Sequence, residues 1–161
     1  MSDRQQAALS RVKYYMWWSG GAGLVPVPLV DLAAVSGVQL KMLAEICKIY
    51  DVPFKESRGK AAVGALVGFV LPHAAAYGLL GSLLKAIPIV GSLAGAPAMG
   101  LFCAAYAWAL GNVFIQHFES GGTFLDFDAE KVKDHFRAQF DEGMNMSKAT
   151  ATKKTEAKAS A

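Results

Sequence analysis

The residues of this 161-residue chain that could support chemistry are few: His73, His117 and His135, Cys47 and Cys103, and a Gly-Lys pair at 59–60. Zinc would need ligands spaced as C-x-x-C or H-E-x-x-H, and the three histidines stand far apart with neither pattern around them. A nucleophilic serine would sit in G-x-S-x-G, which does not occur, and neither cysteine has a base nearby in sequence. SRGKAAVG (57–64) resembles a phosphate loop only superficially: Ala61 stands where Ser/Thr would hold magnesium, and Phe54 occupies the first glycine position. These patterns point to a non-enzyme with no metal and no cofactor.

One charge is out of place. Asp31 sits in GLVPVPLVDLAAV (23–35) among apolar residues and after two prolines. Pro28 suits a first helical turn, where its missing N–H costs nothing. Asp31 then falls in the same turn, beside unpaired N–H groups and the positive end of the helix dipole. A polar contact with another helix or a partner protein is the alternative reading.

The elements that would position these residues are helical. From Pro28 to Tyr50, Leu32, Val35, Val38, Met42, Leu43, Ile46 and Ile49 recur at three- and four-residue steps, opposite Lys41, Glu45 and Lys48. The N-terminal residues 1–13 are polar and can extend a helix into the aromatic cluster Tyr14, Tyr15, Trp17 and Trp18, which suits a membrane interface. Near the other end, Gly121-Gly122 marks a turn, Asp126 or Asp128 can cap the next helix, and Ala129, Val132, Phe136 and Phe140 share its apolar face. After Gly143 the Lys/Ala-rich tail 144–161 has no apolar run to pack and is expected to be disordered.

Charge distribution says most about the environment. Hydrophobic residues make up 53% and charged ones 18%, and the net charge of +3 is too small to argue for nucleic acid. Residues 61–118 hold a single charge, Lys85. The segment 61–84 would be ~36 Å long as a helix, enough for a ~30 Å hydrocarbon core. Pro88 and Pro97 argue for a break, and 98–118 reads as a second long apolar helix. Gly64 and Gly68 make one G-x-x-x-G pair and Gly91 and Gly95 another, spacing that lets helix backbones approach and favours a homo-oligomer. The expected fold is all-α: a Gly/Ala-rich apolar hairpin at about 61–118, embedded in a lipid bilayer and flanked by amphipathic helices, in one domain spanning 1–143. The basic residues outside the hairpin place both termini on the cytoplasmic side.

GLVPVPLVDLAAVSGVQLKMLAEICKIYDVP, the later AIPIVGSLAG and ALGNVFIQHFESGGTF together resemble the YcjF-like group, over about Trp17 to Phe140. The P-x-P-x-x-D helix start, the Q-L-K-M step containing Gln39, and the F-x-x-G-G turn carry the resemblance. It implies an α-helical protein of the bacterial inner membrane, often fused to or encoded beside a Ras-like GTPase domain, with no established biochemical activity. Asp31, Pro28 and Gln39 become the candidate helix-start or partner-contact residues. Three functions follow as expectations: a membrane-embedded scaffold or adaptor acting with a GTPase from another chain, a self-assembling protein that remodels lipid, or a soluble helical carrier of hydrophobic ligands.

Overall fold

The computed structural model describes residues 1–22, 30–75 and 96–159, with side chains left out at 22, 30–35 and 96–98. Five helices account for nearly all of them: α1 (Asp3–Ala22), α2 (Val30–Tyr50), α3 (Glu56–Ala75), α4 (Ala96–Glu119) and α5 (Ala129–Ala159). The all-α expectation holds.

Local chemistry sets the helix ends. Ser2 Oγ accepts the Gln5 N–H at 3.1 Å and caps α1, and Asp3 adds a negative charge to the first turn. α2 stops where Asp51 takes a left-handed φ of 57°, with Val52 N–H donating to Cys47 O and Asp51 N–H to Lys48 O. That double return is the Schellman closure, and Pro53 keeps the helix from resuming. α4 ends in the same way at Gly121, whose φ of 81° suits a residue without Cβ. Of the two candidate caps for α5, Asp128 does the capping, accepting the Glu130 N–H at 3.0 Å. Asp126 instead closes the preceding turn, accepting both the N–H and the hydroxyl of Thr123.

α4 is the hub. α1 and α5 cover it most extensively, both antiparallel to it, while α2 and α3 complete the wrapping. Its aromatics interleave with those of α5 and the preceding turn: Phe114 stacks on Phe127 at 4.4 Å, and Tyr106 and Phe102 meet Phe136 and Phe140 edge-on. Backbones touch where glycine permits it. A Cβ on Gly143 would lie 2.8 Å from Ala105 Cα, and one on Gly20 would lie 3.3 Å from Ala104 Cβ.

The expected boundary at residue 143 falls inside α5, and the tail expected to be disordered continues that helix to Ala159. The first part of the reason is packing: Gly143, Met144 and Ser147 are buried, so the helical body does not end at 143. The second is propensity, because 148–159 is mostly Ala, Lys and Thr without Gly or Pro. Thr150, Thr152 and Thr155 each donate back to the carbonyl four residues earlier.

Candidate functional site

The chemically capable side chains do not converge. His73 Nε2 contacts Asp141 Oδ1 at 2.8 Å and ties α3 to α5. His117 Nε2 meets the Thr123 carbonyl at 2.8 Å, clamping the turn after α4. His135 lines a groove of about 370 Å³ between α1, α4 and α5, together with the amides of Gln5, Asn112, Gln116 and Gln139. Among the described residues, no three His, Cys, Asp or Glu side chains come close enough to hold a metal ion. Gly59 is inside α3, donating its N–H to Lys55 O and packed beneath Leu40 and Phe54, while Lys60 pairs with Glu56 at 2.6 Å. With the Gly59 N–H and the Lys60 ammonium both engaged, the segment does not form the open loop of backbone donors that a phosphate loop needs.

What the fold does organise is polarity along the bundle. Ser2 Oγ and Tyr50 OH both donate to Glu119 Oε1, at 3.0 and 2.6 Å, so the start of α1 and the ends of α2 and α4 lie together. Those two donors hold the Glu119 carboxyl below its usual range. Arg4 pairs with Asp51 at 3.1 Å at this same end. At the opposite end Gly20 rests on Gly100 and Ala104, Ser19 meets Gln39, and His73 reaches Asp141 beside the Phe102–Phe140 contact. The end of α1, the start of α2, the end of α3 and the start of α4 therefore share the second pole.

Toward that second pole four of the five helices run without charge, while α5 brings Asp141 and Glu142. Residues 14–22, 32–40, 61–75 and 96–118 contain no Asp, Glu, Lys or Arg. Trp17 and Trp18 stand 47% and 60% exposed there, with Leu71 on α3 also exposed. Soluble bundles rarely leave two tryptophans in water on one helix face, and such patches mark interaction surfaces. The exposed Met1 and Leu125 lie near the charged pole and are isolated, which needs no special cause.

The sequence-derived candidates scatter across this frame. Asp31 falls in the first turn of α2, whose described part begins at Val30, and its side chain is outside the described part. Pro28, Gly91 and Gly95 lie outside the described residues altogether. Gln39 is 1% exposed between α1 and α2, where its Nε2 donates to Ser19 Oγ at 3.3 Å. Gly64 and Gly68 face outward on α3, and a Cβ on either would meet no atom within 4 Å. Among the described residues, no neighbouring helix seats on them. The close approaches belong instead to Gly20, Gly111 and Gly143, which lack G-x-x-x-G spacing. One signal could have found them: each lies on the apolar stripe of its own helix.

The long apolar helix is also more enclosed than its sequence implies. Met99–Glu119 is the one described helix long and apolar enough to cross a membrane, and 78% of its apolar window is buried inside the bundle.

Residues 1–143 match the family model described as "Domain of unknown function (DUF697)". The chain belongs to this family. It is also 34% identical over 140 residues to "Magnetosome membrane protein 22" of Magnetospirillum gryphiswaldense, an alignment covering 87% of this chain and 72% of that protein. No solved structure matches it. The family match covers α1 to α4 and α5 as far as Gly143, so both poles of the bundle are inside it.

Proposed function

We propose that this member of the family is a non-enzymatic helical scaffold that associates with a membrane through the apolar pole of its bundle and presents the charged pole to a partner protein. One observation carries the reading: charge-free stretches of four helices (14–22, 32–40, 61–75 and the first half of α4) gather at the same pole as the exposed Trp17, Trp18 and Leu71. The membrane-protein relative supports it. A bilayer in contact with that pole covers apolar surface that water would otherwise wet, at roughly 25 cal/mol per Å². The partner fitting the YcjF-like resemblance is a Ras-like GTPase on a separate polypeptide, at the cytoplasmic face of a bacterial inner membrane. Arg4, Asp51 and Glu119 at the charged pole are the surface it would meet.

Fractionation tests the reading. The protein is expected in the membrane pellet, and the purified full chain is expected to float with liposomes on a sucrose gradient. Recovery from cytosol as a detergent-free monomer that ignores liposomes overturns it. For the partner, a tagged full chain extracted in mild detergent is expected to retain a GTP-binding protein, and loss of that capture in Arg4→Glu/Asp51→Lys would place the contact at the charged pole.

A further inference from the structure

The outward face of α1 grades from charged to aromatic to apolar along its axis. Arg11, Tyr14 and Trp18 follow at three- and four-residue steps, and Lys13, Trp17 and Gly21 form the adjacent line. All six are exposed, because Ala8, Val12, Tyr15, Met16 and Ser19 occupy the buried face. The aromatic rings are already gathered: Tyr14 lies 6.2 Å from Trp18 and 5.3 Å from Tyr15. Beyond Ala22 the chain continues as GLVPVPL, with no charge before Asp31.

We infer that Tyr14, Trp17 and Trp18 form an interfacial anchor that seats the apolar pole at the headgroup level of a bilayer; this rests on the membrane reading above. The order along the face matches the order of a bilayer. Lys13 and Arg11 stand at the depth of the phosphates, although Arg11 also pairs with Glu45 at 3.6 Å. The amphipathic indole and phenol rings occupy the interfacial layer, which they favour over both water and hydrocarbon. Tyr and Trp also anchor protein interfaces, so it is the order of cations, then aromatic rings, then an apolar stretch along one helix face that selects a bilayer as the occupant. The C-terminal part of α5 leaves the bundle from the same pole, carrying Lys148, Lys153, Lys154 and Lys158 against Glu156, all exposed. Twelve helical residues span ~18 Å, and such an arm cannot enter hydrocarbon, so it lies along the headgroups and limits how deep the pole sinks.

The three tryptophans make the test direct, because Trp108 is buried and Trp17 and Trp18 are not. The full chain is titrated with vesicles of equal phosphatidylglycerol and phosphatidylcholine while emission is recorded. Binding is expected to shift the emission to the blue, and lipids brominated near the headgroup end of the acyl chain are expected to quench it. Trp17→Ser/Trp18→Ser, with helicity and melting unchanged, is expected to bind about tenfold more weakly or worse. Flotation with unchanged emission, or undiminished binding by the double variant, overturns the anchor and leaves the membrane reading standing. Failure of the unaltered chain to float overturns both.

Discussion

Gly143 of α5 lies directly on the backbone of Ala105 in α4: a Cβ there would stand 2.8 Å from Ala105 Cα and 3.0 Å from its carbonyl oxygen. Neither atom can move aside without shifting a helix. Gly143→Ala is therefore expected to destabilise the fold by about 1–3 kcal/mol, despite the better helix propensity of Ala. Gly64→Ala on α3 meets open space and is expected to stabilise by roughly 0.5–1 kcal/mol. Paired urea melts decide it, and a destabilising Gly64→Ala would show that α3 makes a contact beyond the described residues.

The contrast shows what could be read from the sequence. The helices and their ends were legible, because caps, glycine stops and three-to-four periodicity are local features. Asp31 in the first turn of α2 and the Gly121 stop followed from such signals. Which glycines pack was not legible. G-x-x-x-G marks a smooth helix face, as at Gly64 and Gly68, without saying what faces it, whereas Gly143 is set by the crossing of two helices distant in sequence. The run 61–118, with Lys85 as its single charge, read as a membrane hairpin because burial in lipid and burial in protein select the same residues. In α4 the bundle itself supplies most of the cover.

The length of α5 gives the next expectation. Among the described residues, truncation after Ser147 removes only exposed ones, and it is expected to change stability by less than about 0.5 kcal/mol. Truncation after Glu142 also removes the buried Met144 and Ser147, and is expected to cost about 2–5 kcal/mol, mainly through the Met144 cavity. Thermal melts of the two truncated chains check this. Equal stability would mean that the body ends at 143 after all.

Cys47 ties stability to alkaline pH. Burial pushes its thiol from 9.0 up to about 12. In the unfolded chain the thiol ionises above pH 9, while the folded chain keeps its proton, so the unfolded state binds fewer protons and stability falls as pH rises. The loss approaches about 1.4 kcal/mol per pH unit between those values. Burial and the hydrogen bonds to Glu45 and Glu119 raise the Tyr15 and Tyr50 phenols too, adding to the same slope at higher pH. Cys47→Ala is expected to flatten the first part of the decline, measured as the urea midpoint between pH 8 and 10.5. A thiol reagent at pH 8 is expected to modify native Cys47 no faster than the protein opens. Rapid labelling without unfolding would contradict the enclosure of this site.

Gln39 offers the sharpest separation of a folding role from a functional one. Its Nε2 donates to Ser19 Oγ, yet its Oε1 is buried with no hydrogen-bond partner among the described residues. An unsatisfied buried acceptor costs roughly 1–3 kcal/mol, so the amide is a poor choice for stability alone. Gln39→Met keeps the side-chain length and volume close while removing the amide. Ser19 then turns its hydroxyl toward the carbonyl of Tyr15, one turn earlier in α1, as Ser and Thr do in helices. The variant is expected to be as stable as the unaltered chain or about 1–2 kcal/mol more stable. If Gln39 serves only the bundle, liposome flotation and partner capture stay unchanged in this variant. If the amide is kept for contact with a partner, stability rises while capture falls, a combination that a purely structural residue cannot produce. A marked loss of stability would instead mean that Oε1 has an acceptor role within the fold, met by a group such as water, and would remove Gln39 from the list of contact candidates.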